Sequence, residues 1–242
     1  MQGHRTAAVL VIGNEVLSGR TREANAWLAA RRLFARGCRL REIVVVPDEC
    51  DSIVSAVNRL RGACDAVITS GGIGPTHDDI TMQSIADAFG VALADHTAML
   101  AAMARHYGVD RLNDGRRRMA RLPAGAVPIL CEKSIAPGAH IGNVYVLAGV
   151  PDIFASQLET ILADFGGQPF RRRQLDVDLP ESSYAAALDK IQQRFPGVEI
   201  GSYPQRCGSQ PRGKICLSSQ DAAELKAAES AVLEMLDTLH PA

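Results

Sequence analysis

No apolar run in this chain is longer than a strand, no two cysteines stand in a C-x-x-C arrangement, and no two of its six histidines fall at metal-ligand spacing. The first absence excludes a membrane-spanning helix, which needs about 20 consecutive apolar residues. The N-terminal Met1-Gln-Gly-His-Arg5 runs directly into a strand, with none of the apolar h-region of a secretory leader. The expected setting is therefore the cytoplasm, with no membrane partner. The other two absences make Cys38, Cys50, Cys64, Cys131, Cys207 and Cys216 reduced structural thiols rather than disulfides or zinc ligands. Charge of one sign is lacking too. With a formal net charge of −1, no global field recruits nucleic acid, and Arg116-Arg117-Arg118 and Arg171-Arg172-Arg173 read as solvated faces or substrate contacts. No Gly-Lys-Ser/Thr occurs, so there is no P-loop.

What is present is the make-up of an ordinary globular protein of one large or two modest domains: 47% hydrophobic and 22% charged residues over 242 positions. The most informative stretch is Ala66-Val-Ile-Thr-Ser-Gly-Gly-Ile-Gly-Pro-Thr-His-Asp-Asp-Ile-Thr81. A short apolar strand leads into Gly71, Gly72 and Gly74, which permit positive φ and leave backbone N–H groups bare for an anion. Pro75 and Thr76 complete the loop, and Asp78 and Asp79 follow as oxygen donors for a hard cation. His77 stands where the third glycine of a dinucleotide fingerprint would be. Adjacent carboxylates in a first helical turn diverge by about 100°, so one cap and one ligand is the economical division: Asp78 the N-cap, Asp79 the functional group.

Short apolar runs alternate with helical patterns. Strands are expected at 7–12, 41–46, 66–69 and 144–147, with helices near 25–36, 51–61, 81–89 and 95–107. This rhythm predicts a three-layer αβα fold with a mostly parallel sheet. Gly37 closes the first helix, and Pro151 opens another from its first position. Gly166-Gly-Gln-Pro169 marks a boundary, dividing the chain into 1–168 and a small βαββα segment at 169–242 of ferredoxin-like kind.

Gly71-Gly-Ile-Gly-Pro-Thr-His-Asp-Asp79 resembles the signature loop of the molybdopterin-binding domain superfamily. The wording is most similar to the competence/damage-inducible protein A family and the N-terminal domain of eukaryotic FAD synthase. Further segments carry the resemblance over roughly residues 5 to 165: Gly13-Asn-Glu-Val-Leu-Ser-Gly19 with Asn25, Val45-Val-Pro-Asp-Glu49, Ala136-Pro-Gly138, and Asn143-Val-Tyr-Val-Leu-Ala-Gly-Val-Pro151. Each follows or forms a strand, and ligands in such sheets bind at the strands' carboxyl ends. The resemblance implies functional aspartates at Asp48 and Asp79, and substrate contacts from Gly13, Glu15, Asn25, Gly71, Gly72, Gly74, Pro75, Thr76, Gly149 and Pro151. Glu49 is a second acidic candidate, and Asn25 also reads as a plain helix N-cap. Two positions depart from the pattern: Met119 stands amid arginines where an amide is usual, and Ala148 replaces the proline before Gly149.

The leading expectation is a metal-dependent nucleotide pyrophosphatase that cleaves FAD or ADP-ribose-like dinucleotides. The glycine loop would hold the diphosphate, Asp79 with Asp48 or Glu15 would hold a divalent cation (Mg²⁺, Mn²⁺ or Co²⁺), and a remaining carboxylate would place the attacking water. The alternative is a non-catalytic pterin- or nucleotide-binding protein linked to molybdenum cofactor handling. Cys50, Thr69 and Ser70 have no partnered base in the sequence and are poor nucleophile candidates. The chain stops too early for an FAD-synthesising or amidohydrolase domain, and the superfamily resemblance implies a homo-oligomer, dimer or trimer.

Overall fold

The computed structural model of the chain describes residues 3–207 and 210–239, the side chains of 205–212 excepted. It separates into two compact units, Met1–Gly167 and Gln168–Ala242. The first unit begins with β1 (Thr6–Ile12), a one-turn helix α1 (Asn14–Leu17), α2 (Asn25–Ala35), β2 (Arg39–Val46), α3 (Cys50–Ala63), β3 (Ala66–Ser70) and α4 (Thr81–Phe89). It continues with β4 (Leu93–Asp95), α5 (Thr97–Tyr107), α6 (Asp114–Arg118), β5 (Arg121–Pro123), β6 (Val127–Cys131), β7 (Ser134–Ile141), β8 (Val144–Leu147) and α7 (Pro151–Ile161).

Six of these strands form one sheet in the order β2-β1-β3-β8-β7-β6, parallel from β2 to β8 and antiparallel thereafter. Strand periodicity divides the core into two layers. Ala7, Val9, Val11, Ala66, Ile68, Tyr145 and Leu147 face one layer with Leu33 of α2 and Phe154 and Leu158 of α7. Ala8, Leu10, Ile12, Val67, Val144 and Val146 face the other with Ile53 and Leu60 of α3 and Ile85 of α4. Central strands are buried on both sides, which is why residues 7–12 and 66–68 read as unbroken apolar runs. The edge strand β2 is half exposed and carries Arg39, Arg41 and Glu42, charges that discourage edge pairing.

The expected αβα architecture is thus the one found. The antiparallel β6–β7 hairpin and the short β4–β5 pair lie outside the sequence expectation. Ser134-Ile-Ala-Pro-Gly-Ala-His-Ile141 has little β propensity; it is strand because Gly138 lets the backbone pass close to the Val146 carbonyl. The excursion of α5 and α6 has a small core of its own, Met99, Met103, Leu112 and Ala120.

The second unit runs β9 (Arg171–Val177), α8 (Glu181–Arg194), β10 (Glu199–Cys207), β11 (Gln210–Ser219) and α9 (Ala222–Leu239). Its antiparallel sheet has the order β10-β11-β9. Alternate residues Ile215 and Leu217 of β11 pack with Tyr184, Leu188, Leu225 and Val232 of the two helices. The small α+β segment is therefore as expected. Among the described residues no helix is long and apolar enough to cross a membrane. Cys38, Cys50, Cys64, Cys131 and Cys216 are free thiols; the Cys207 side chain lies outside the described residues, as do Met1, Gln2 and His240.

Candidate functional site

β1 pairs with β2 on one side and β3 on the other, so the strand order reverses between β1 and β3 and their following loops part to leave a crevice. The glycine loop leaves β3 there. Gly71 has φ 108°, and a Cβ on it would collide with the Ile12 carbonyl at the end of β1. Its N–H donates to the Leu147 carbonyl of β8 at 3.2 Å. The loop closes on itself through Thr81, the fully buried first residue of α4. The Thr81 N–H donates to the Gly72 carbonyl and its hydroxyl to the Gly71 carbonyl, both at 2.9 Å. The loop from Gly71 to Thr81 is thereby held with both ends joined, on a rigid sheet.

Neither aspartate caps the helix. The N-cap position of α4 is Ile80, with no side-chain bond, and Asp78 and Asp79 both precede it. Asp79 Oδ2 instead accepts the Thr76 N–H at 2.9 Å and the Thr76 hydroxyl, closing a local turn that competes with capping. Asp78 is exposed, and hydrogen bonding within the turn holds its carboxyl below the usual range. The assignment of Asp78 as N-cap is therefore corrected, while Asp79 keeps a separate geometry. A Cβ on Gly74 would lie 2.6 Å from Asp79 Oδ2, so the carboxylate can sit over the loop because residue 74 has no side chain.

The loop after β1 repeats the device. A Cβ on Gly13 would lie 2.7 Å from both Glu15 carboxylate oxygens, so Glu15 folds back over a bare glycine. Asp48, expected as a ligand, accepts the Asn14 N–H on Oδ2 at 2.8 Å, which ties the loop after β2 to the start of α1. Glu49 accepts from the Ser52 hydroxyl at 3.2 Å within its own helix turn. Asn25 is not the cap of α2; that position is Ala24, and Glu23 accepts the Ala26 N–H at 2.8 Å. The Asn25 amide is 6% exposed and donates to Ser70 Oγ at 2.9 Å and to the Gly149 carbonyl at 2.8 Å. It thus pins together the ends of β3 and β8. Pro151 does open α7, with Val150 as N-cap.

These elements surround a cavity of about 440 Å³ lined by Gly71, Gly72, Ile73, Gly74, Pro75, Asp79, Glu15, Gly149 and Val150, with Met119, Ser134, Ala136, Ala148 and Ile153 closing it. Of the expected residues, Asp48, Gly13, Asn25, Thr76 and Pro151 are not part of this lining. Both departures from the superfamily pattern, Met119 and Ala148, are on it. The Ala148 N–H donates at 2.8 Å to Oε1 of Gln157, a fully buried residue of α7, which a proline there would forbid. Cys50 donates to Asp87 at 3.4 Å, and Ser70 is buried under Asn25, so neither is a nucleophile facing the cavity. A larger groove of about 560 Å³, between β6 and α7, is lined by Leu130, Cys131, Glu132, Ser156, Glu159 and Thr160 and has no comparable loop. Among the described residues no three His, Cys, Asp or Glu side chains converge as a metal cage.

An α/β sheet protein with a glycine loop and acidic groups at its switch point is the class these features define. Comparison with known proteins places the chain within it. Residues 8–167 match the family described as "Probable molybdopterin binding domain", and residues 169–240 match "FAD synthase, middle domain". The chain belongs to the former family and carries the latter unit behind it. A protein of Aeropyrum pernix is 34% identical over 99% of this chain and 92% of its own length. A "Probable FAD synthase" of Caenorhabditis elegans is 31% identical over 98% of this chain, which spans 51% of that protein. Among solved structures, the protein CinA of unknown function from Thermoplasma acidophilum is 34% identical with TM-score 0.63, covering 66% of this chain and 98% of its own.

Proposed function

We propose that this chain is a metal-dependent nucleotide pyrophosphatase that cleaves FAD or ADP-ribose-like dinucleotides. The observation that carries the reading is the meeting of the glycine loop and two carboxylates, Glu15 and Asp79, on one cavity of nucleotide-accommodating size. Backbone N–H groups of the loop suit phosphoryl oxygens. The lining contains no Lys, Arg or His, so a diphosphate entering beside two carboxylates meets repulsion unless a cation accompanies it. The donor set fits a hard divalent ion of the Mg²⁺ kind, which takes one or two carboxylates and completes its shell with water and phosphate oxygens rather than an all-protein cage. Glu15 and Asp79 would hold it, and its chemistry there is neutralisation of charge on the diphosphate. Asp48 acts through Asn14, fixing the short helix that carries Glu15. Hydrolysis would join a water oxygen to the adenylyl phosphorus as the bridging P–O bond breaks: AMP keeps the water oxygen, the other phosphomonoester leaves with the bridging oxygen, and the water protons pass to solvent.

Homology to an FAD synthase supports a flavin dinucleotide as ligand. The description of the first unit as molybdopterin binding favours a second reading, a pterin or nucleotide holder without turnover. The test is AMP release from FAD, ADP-ribose and NADH with Mg²⁺, Mn²⁺ or Co²⁺. The expected result is AMP formation abolished by Asp79→Ala; no AMP above that control, together with tight binding of a pterin phosphate, transfers the assignment to the second reading.

A further inference from the structure

Three consecutive arginines on α6 have different partners. Arg116 donates to the Arg111 carbonyl and lies 4.1 Å over the Tyr107 ring, and Arg117 donates to the Leu112 carbonyl at 3.2 Å. Both are tied back to their own segment. Arg118 instead crosses to the glycine loop, its Nη1 donating to the Thr76 carbonyl at 2.7 Å. Thr76 is gripped from its other end by Asp79, and a Cβ on Gly115 of the same helix would lie 3.3 Å from the Pro75 Cβ, so the helix passes close to the loop. The next residue, Met119, lines the cavity. Arg118 is exposed, and among the described residues its hydrogen-bond partner is that one carbonyl, which occupies one of five guanidinium N–H groups.

Resting on the diphosphate reading above, we propose that Arg118 is a further substrate-contacting residue: held against the glycine loop by Thr76, its remaining donors take the outer phosphate of a bound diphosphate. It supplies the protein cation that the lining itself lacks, and the planar fork suits a phosphate while one N–H stays on the carbonyl.

The test is calorimetry of ADP and AMP with Mg²⁺ on the full chain, for the wild type, Arg118→Gln, Arg118→Lys and Arg116→Gln, with thermal melts of each. Loss of one charge-assisted contact weakens ADP binding by on the order of ten- to a hundredfold in Arg118→Gln. AMP binding falls less, so the preference for ADP shrinks, and Arg118→Lys regains part of it. Arg116→Gln lowers the melting temperature and leaves the ADP preference intact. Unchanged ADP affinity in Arg118→Gln, or equal losses for ADP and AMP, overturns the proposal and leaves Arg118 as a tether of the loop. ADP binding by a wild type that cleaves no dinucleotide ends the pyrophosphatase reading while this one stands; a wild type that binds no ADP ends both.

Discussion

Replacing Asn25 by Asp distinguishes a helix cap from a buried clamp. As an N-cap, Asp equals Asn and the substitution would be neutral within a few tenths of a kcal/mol. In the structure, the Asn25 Nδ2 group donates to both Ser70 Oγ and the Gly149 carbonyl in a site 6% exposed. A carboxylate cannot donate. Ser70 can turn its own proton toward it, but the Gly149 carbonyl is left facing an anion with no hydrogen between them. One lost bond of about 1 kcal/mol plus the cost of a poorly compensated buried charge gives about 2–4 kcal/mol at neutral pH. For a unit of this size that lowers the melting temperature by roughly 4–16 °C. The sign of the pH dependence is fixed as well. Burial raises the new carboxyl's folded pKa above its unfolded value, so the penalty is smallest below about pH 4 and grows as pH rises through the folded value. Thermal melts by circular dichroism from pH 4 to 8 measure this. A melting temperature equal to wild type at pH 7, or a penalty that grows toward acid, refutes the clamp.

Asp79→Asn loses divalent-dependent ligand binding while its stability falls by no more than about 1 kcal/mol, because the amide oxygen still accepts from Thr76; Asp78→Asn behaves as wild type, and parallel melts and ligand titrations with Mg²⁺ separate the two. Ala148→Pro removes the N–H held by Gln157 and leaves that buried amide without its partner, costing about 1–3 kcal/mol in urea unfolding. Asp65 accepts the Thr6 N–H at 2.9 Å and the Arg5 N–H at 3.0 Å, bonds that hold its carboxyl below the ordinary range. Its stabilisation is complete above the unfolded pKa and disappears as pH falls through the folded one, so Asp65→Asn flattens the acid limb of a pH–urea-midpoint plot.

Reading the sequence worked where one physical cause dominates. Ala7 to Ile12 and Ala66 to Ile68 are buried on both faces, so apolarity and strand coincide there. The β6–β7 hairpin was illegible because Pro128, Pro137 and Gly138 speak against a strand, and only pairing with β8 overrides them. Residue types with several uses were misassigned for the same reason: an Asn before a helix and an Asp near one look like caps, whereas Asn25 reaches across 124 residues to Gly149 and Asp78 precedes the Ile80 cap position of α4. The glycine loop was legible since only glycine tolerates the approach of Ile12 at residue 71 and of Asp79 at residue 74. Ser134 and Ile153 carry no local signal, because a cavity wall is made by neighbours in space.

The central claim is that a diphosphate lies on the glycine loop with its charge met by a cation on Glu15 and Asp79. A crystal structure of the protein soaked with ADP-ribose and Mn²⁺ tests it most directly, since the ion is identified by its anomalous signal. The account predicts phosphoryl oxygens within hydrogen-bond distance of the N–H groups of Gly72, Ile73 or Gly74, and Mn²⁺ on a carboxylate of Glu15 or Asp79. A ligand seated in the groove between β6 and α7, or a diphosphate turned away from the loop with no ion at either carboxylate, contradicts it.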